Sequence, residues 1–120
     1  MTREFLDPRL LKLIKPLREA APQAKVFDKA VYSAFASKPL RNQLRMRRAS
    51  TLIITGGETD VCVLATVLAA IDLGYRVVLP LDALCSARDS THDALVTLYS
   101  ERFSTQIETT TTERLLSAWD

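Results

Sequence analysis

The sequence predicts an α/β fold, a parallel sheet held between helical layers in a three-layer α/β/α domain, and three observations carry that reading. Leu52-Ile53-Ile54-Thr55 and the run from Arg76 to Leu81 are short, apolar and β-branched, the composition of strands buried on both faces. A helical pattern follows each: Val61 to Leu73 after the first, Ser90 to Phe103 after the second. Strand and helix therefore alternate along the chain, and alternation of that kind packs helices on both sides of a parallel sheet.

The elements follow in order. Asp7-Pro8 reads as an N-cap with proline at the first helical position, opening a short helix through Leu10, Leu11 and Ile14 that Pro16 and Pro22 interrupt. Ala24 to Phe27 is a short strand leading into Lys29. Pro39 to Arg48 reads as a helix, with Leu40, Leu44 and Met46 on its apolar side and Arg41, Arg45 and Arg48 facing out. Leu52 to Thr55 is a buried strand, Val61 to Leu73 a buried helix ended by Gly74, and Arg76 to Leu81 a second buried strand. Ser90 to Phe103 is amphipathic through Leu95, Val96, Leu98, Tyr99 and Phe103. Thr105 to Glu108 is an outer strand. Thr112 to Trp119 closes the chain as a helix capped by threonine, with Glu113 in its first turn.

Composition narrows the classes. With 120 residues, 48% of them hydrophobic and 25% charged, the chain is one globular domain with a modest core. A net charge of +2 gives no strong attraction to nucleic acid or anionic lipid. The basic cluster of Arg45, Arg47 and Arg48 lacks the interleaved aromatics of a nucleic-acid surface and reads as a solvated helix face. Val61 to Ile71 is too short to span a bilayer, and the N-terminus lacks the apolar core of a signal peptide. Two cysteines make no disulfide framework, so a reducing cytoplasm is expected. The single histidine, His92, has no second histidine with which to build a zinc site and reads as a structural hydrogen-bonding residue.

The segment richest in chemistry is Gly56-Gly57-Glu58-Thr59-Asp60-Val61-Cys62-Val63. A strand, a glycine turn and a helix place Cys62 in the first helical turn, where unpaired N–H groups and the positive end of the dipole gather. That is a setting for a nucleophilic thiolate. A small buried hydrophobe is the bland alternative, and spacing alone leaves both open. Thr59 is placed to cap the helix, and Asp60 suits its positive end; both read as structural.

This segment, continuing through Thr66, Ala70 and Gly74, resembles the isochorismatase-like cysteine hydrolases, a superfamily that includes nicotinamidases and N-carbamoyl amidohydrolases. Asp28-Lys29 with Tyr32-Ser33-Ala34-Phe35 resembles the family's lysine motif, and Asp82-Ala83-Leu84-Cys85-Ser86 with His92 its segment after the next strand. The resemblance runs from about Thr2 to Trp119. It implies a Rossmann-like fold and a site in which Cys62 is the nucleophile and Lys29 the cation beside it. The backbone amides of Glu58 and Cys62 would form the oxyanion hole, next to a cis Gly57–Glu58 peptide. Cys85 is expected to pack or to line the pocket.

One member of the family's triad has no counterpart. Its aspartate ends the first strand, upstream of the lysine, where this chain offers only Glu4, Asp7, Glu19 and Asp28, none of them after a buried strand. The metal-binding residues of nicotinamidases lie in the same missing region, so no metal or other cofactor is implied. In the family strand order 3-2-1-4-5-6 the chain would supply strands 3 to 6 and lack 1 and 2. Residues 1–120 thus read as a single partial domain, with Leu52–Thr55 as an open, apolar sheet edge.

The function implied is hydrolysis of a C–N bond in a small amide or carbamoyl compound through a thioester, with activity in doubt for want of the aspartate. The alternative is a non-catalytic remnant or an interaction module. The partners expected are a small-molecule amide and either a second copy or another chain completing the sheet, with no nucleic acid and no membrane.

Overall fold

A computed structural model describes residues 13–20 and 23–119. The elements run α1 (Lys15–Ala20), α2 (Lys38–Met46), β1 (Thr51–Ile53), β2 (Gly56–Gly57), α3 (Cys62–Asp72), β3 (Arg76–Pro80), β4 (Leu84–Cys85), α4 (Asp89–Glu101), β5 (Ile107–Thr110) and α5 (Thr112–Ser117). Single 3-10 turns lie at Ala34–Ala36 and Leu81–Ala83.

β3 is the centre of a parallel sheet of order β1-β3-β5, with Leu52 opposite Val77 and Val77 opposite Ile107. Neighbours on both edges and helices on its faces bury Val77 to Pro80 without interruption, as its apolar run predicts. Val77 and Leu79 meet Val67 and Ala70 of α3, Tyr99 of α4 and Ile107 of β5 in the core. Beyond the carboxyl end of β1 the chain forms a second, two-residue parallel pair, β2 with β4. Gly56 turns the chain there at a φ of 101°, a left-handed value that glycine adopts freely. At Gly57 the constraint is space, since a Cβ would lie 3.0 Å from the Cys85 sulfur and 3.3 Å from its carbonyl oxygen. The glycine pair therefore both turns the chain and lets β4 approach.

The helix ends are capped by the residue types that capping requires. Ser37 accepts from the Leu40 amide at 3.3 Å, ahead of Pro39 in the first turn of α2. Thr111 accepts from the Arg114 amide at 3.2 Å at the start of α5. Asp82 adds a long-range tie, taking the Thr112 amide at 2.8 Å and its hydroxyl at 2.9 Å on one carboxylate oxygen. The amide first and the hydroxyl second hold the Asp82 carboxyl below its ordinary value of 3.8. A pKa lower in the folded state means stability that is complete above the ordinary value and is lost as pH falls below it. Asp82→Asn is therefore expected to flatten the decline of unfolding free energy below about pH 4, measured by denaturant titration across the acid range. An unchanged slope would show that the tie is not formed in solution.

The structure corrects several expectations. Ala24 to Phe27 is not a strand: Val26 is exposed and no strand lies beside it among the described residues. An extended segment without a ladder partner leaves its polar groups to water and stays irregular. The sheet thus has three strands where four were expected. Pro16 does not interrupt a helix but sits in the first turn of α1, a position where its missing N–H costs nothing. The helix opening at Asp7-Pro8 falls on residues outside those described. Met46 is exposed, not on the apolar side, and Arg41 turns inward to donate to the Phe35 carbonyl. The outer strand is Ile107–Thr110, two residues later than predicted, because Ile107 is the residue that fills the core. β1 is not buried: Thr51 and Ile53 are exposed and only Leu52 is half-buried, since only one of the strand's edges carries a described neighbour.

Candidate functional site

Cys62 is the first residue of α3 and stands at the carboxyl ends of the strands, the edge where ligands bind in open α/β sheets. It is half-buried, and with Lys29, Ile53, Thr55, Gly57 and Thr66 it lines a cavity of about 350 Å³. The sequence places Lys29 and Cys62 33 positions apart, and the fold brings them to one hollow.

The route by which Lys29 arrives differs from the expected one. No strand delivers it. Instead the loop that carries it is fastened downstream: the Ala34 amide donates to the Thr66 hydroxyl of α3 at 3.0 Å, and Phe35 sinks into the core against Tyr75, their ring centroids 5.7 Å apart. The Lys29 ammonium donates to the Val31 carbonyl at 2.9 Å, bending the loop around it. Lys29 also lines a second cavity of about 450 Å³, together with Asp28, Val31, Ser37 and Lys38. The two hollows share the lysine.

The turn before Cys62 has a defined backbone geometry. The Gly57–Glu58 peptide is cis, as the family resemblance implies. The Glu58 carbonyl accepts from the amides of Val61 at 3.1 Å and Val63 at 3.0 Å. Among the described residues, the amides of Glu58 and Cys62 themselves meet no backbone acceptor. Gly57 and Cys62 line the Cys62 cavity, whereas Glu58 is not among its lining residues. The Glu58 carboxylate is engaged elsewhere, accepting from the Ala87 amide at 2.8 Å.

Thr59 and Asp60 are each held by a hydrogen bond with a distant side chain, and Thr59 does not cap α3. Val61 occupies the cap position with no side-chain cap bond. Thr59 is completely buried, and its hydroxyl pairs with His92 Nδ1 at 2.7 Å. Asp60 accepts from the Ser86 hydroxyl at 2.6 Å. That bond, then one with Thr91, holds its carboxyl below the usual range. Among the described residues, none that lines the Cys62 cavity is a carboxylate. Among the described residues no group of three or more His, Cys, Asp or Glu side chains is placed to hold a metal ion.

Sequence reasoning missed Tyr99. It was legible as an apolar position of α4, but its hydroxyl donates to the Thr59 carbonyl at 2.6 Å inside the core. Burial raises its phenol pKa far above the usual value. A tyrosine on an otherwise aliphatic face is the available signal, because a buried phenol needs an acceptor.

The fold and this site together define an α/β domain that presents a cysteine on a glycine turn at the carboxyl edge of its sheet. The isochorismatase domain matches residues 3–111, and the chain belongs to that family. Over 89 residues it is 32% identical to an isochorismatase-family protein of Bacillus subtilis, a match covering 74% of this chain and 49% of that one. Isochorismatase family protein 1A of Dictyostelium discoideum is 36% identical over 91 residues, 74% of this chain and 43% of its own. Among solved structures, the nicotinamidase/pyrazinamidase of Bacillus subtilis aligns with a TM-score of 0.69 at 31% identity, covering 78% of this chain and 52% of that one. A pyrazinamidase/nicotinamidase of Streptococcus mutans aligns at 0.65 and 33% identity, covering 75% and 51%. These likenesses bear out the Rossmann-like, isochorismatase-like fold class. The chain spans about half the length of the relatives it matches.

Proposed function

We propose that the chain is a cysteine hydrolase that cleaves a C–N bond of a small amide or carbamoyl compound. The observation that carries this reading is the shared cavity of Cys62 and Lys29 at the carboxyl edge of the sheet. Solved relatives named nicotinamidase and pyrazinamidase support a small amide as substrate. In the first step the Cys62 sulfur bonds to the amide carbonyl carbon, and the carbonyl oxygen takes up negative charge facing the Glu58 and Cys62 amides. The C–N bond breaks, the amine leaves with a proton, and a thioester remains. Water then cleaves the thioester to the acid and restores the thiol. Lys29 supplies positive charge beside the sulfur.

Among the described residues β1 has no neighbour on its outer side, which supports self-association, or pairing with another chain, as the means of covering the sheet. The alternative of an inert remnant has no observation of its own in its favour.

Alkylation tests the nucleophile. Cys85 is exposed and Cys62 half-buried, so accessibility alone predicts that iodoacetamide modifies Cys85 first. The proposed function predicts the reverse order near neutral pH, read by peptide mass spectrometry. Cys85 first, or equal rates, would remove the case for Cys62.

A further inference from the structure

We infer that His92 is a positioning residue for the oxyanion-binding turn, acting on it through Thr59. The inference rests on the proposed role of Cys62 and of the Glu58 and Cys62 amides. Thr59 lies between those two amides in sequence and, like the Tyr99 phenol, is a completely buried hydrogen-bonding side chain. Each of its polar groups is held by a different partner. Its amide donates to the Cys85 carbonyl of β4 at 2.9 Å. Its carbonyl accepts from the Tyr99 hydroxyl at 2.6 Å, and its hydroxyl pairs with His92 Nδ1 at 2.7 Å. His92 and Tyr99 are seven residues apart on α4, two helical turns, and so share a face directed at Thr59.

The residues on either side of Thr59 are tied to the same part of the chain. Glu58 accepts from the Ala87 amide, and Asp60 from the Ser86 hydroxyl. Three consecutive turn residues are thereby fastened to the stretch from Cys85 to Tyr99, whereas Cys62 continues into α3. The direction in which the Glu58 amide points is set by this clamp. Within it the His92 bond is the contact that fixes the Thr59 side chain. Without it the hydroxyl is buried and unpaired, a state that favours rotation of the residue and loosening of the turn. Neither His92 nor Thr59 lines the Cys62 cavity, so neither is placed to touch substrate.

Two reagents separate this role from a general structural one. Acylation of Cys62 by p-nitrophenyl acetate forms the sulfur–acetyl bond, expels p-nitrophenolate and passes through an oxyanion. Alkylation by iodoacetamide displaces iodide at a saturated carbon and passes through none. In the full chain, His92→Leu is expected to lower the ratio of acylation to alkylation rates at Cys62 about tenfold, a fraction of the loss seen when an oxyanion donor is removed outright. His92→Asn, which keeps a polar atom near the Nδ1 position, is expected to restore most of that ratio. Thr59→Val keeps the shape of the side chain, removes the hydroxyl and reads the same contact from the other side, so the test survives if His92→Leu fails to fold. The double variant is expected to lose no more than either single one. An unchanged ratio in both Thr59→Val and a folded His92→Leu overturns the inference while leaving Cys62 as nucleophile. A wild-type chain whose Cys62 is neither acylated nor preferentially alkylated overturns the proposed function instead.

Discussion

Mixed with p-nitrophenyl acetate, the chain is expected to release one p-nitrophenolate per Cys62 in a rapid burst and then to turn over slowly, and Cys62→Ala is expected to abolish the burst. The two phases have different requirements. Forming the thioester needs a nucleophile and a place for the oxyanion, the roles proposed for Cys62 and for the amides of its turn. Hydrolysing the thioester needs water to lose a proton as it attacks. Among the described residues no carboxylate lines the Cys62 cavity, where the charged side chain is Lys29. Glu58 and Asp60, close in sequence, are occupied by Ala87 and Ser86. A positioned general base typically contributes about 10²–10⁴-fold, and the second phase is expected to be slower by that order than in an enzyme that has one. The experiment is a stopped-flow trace at 400 nm (on the order of the nitrophenolate absorbance maximum) with mass spectrometry of the quenched protein, where the acetyl group should sit on Cys62. Fast, burst-free turnover that Cys62→Ala abolishes would show that a carboxylate reaches the site after all. Asp28, across the lysine in the adjoining cavity, is then the first to replace. A burst that survives Cys62→Ala would place the nucleophile elsewhere.

The elements legible in the sequence are those whose pattern is local. β3 announces itself as Val77-Val78-Leu79, because a strand buried on both faces is apolar at every position. The Gly56-Gly57 turn and the start of α3 at Cys62 are equally local: one glycine supplies a positive φ, the other a close approach, and a helix begins where the apolar run begins. Elements that depend on a distant partner were not legible. Ala24 to Phe27 has strand composition but no neighbour to pair with among the described residues, and pairing is not encoded in four residues. Thr59 has the right chemistry for a cap and lies near the right place. Its hydroxyl instead goes to His92, 33 residues away, because α4 brings an imidazole against it. The likeness to known motifs named Lys29, yet the contact that brings its loop to α3, the Ala34 amide on the Thr66 hydroxyl, joins residues 32 apart and leaves no trace in composition.

In solution the chain is expected to sediment as a species heavier than its 13.4 kDa monomer, and Thr51→Pro is expected to return it to the monomer. The reason is the direction of the hydrogen-bonding groups on β1. The Arg76 amide donates to the Ser50 carbonyl, and the Ile54 amide to the Val78 carbonyl, so residues 50, 52 and 54 address β3. Successive residues of a strand point their polar groups to opposite sides, which leaves Thr51 and Ile53 addressing the open side. The Ile53 side chain itself points to a face of the sheet, where it lines the Cys62 cavity. An edge with no partner among the described residues, and with no lysine, proline or bulge to blunt it, is a template for another strand. Proline at position 51 removes an outward N–H without removing any bond to β3, since proline is tolerated on edge strands whose N–H faces away from the ladder. Sedimentation velocity over a concentration series reads the association, and circular dichroism shows whether the variant keeps its fold. A wild-type monomer at every concentration would sink the edge argument. So would an associated Thr51→Pro with its fold intact, because that result would move the contact to another surface of the molecule.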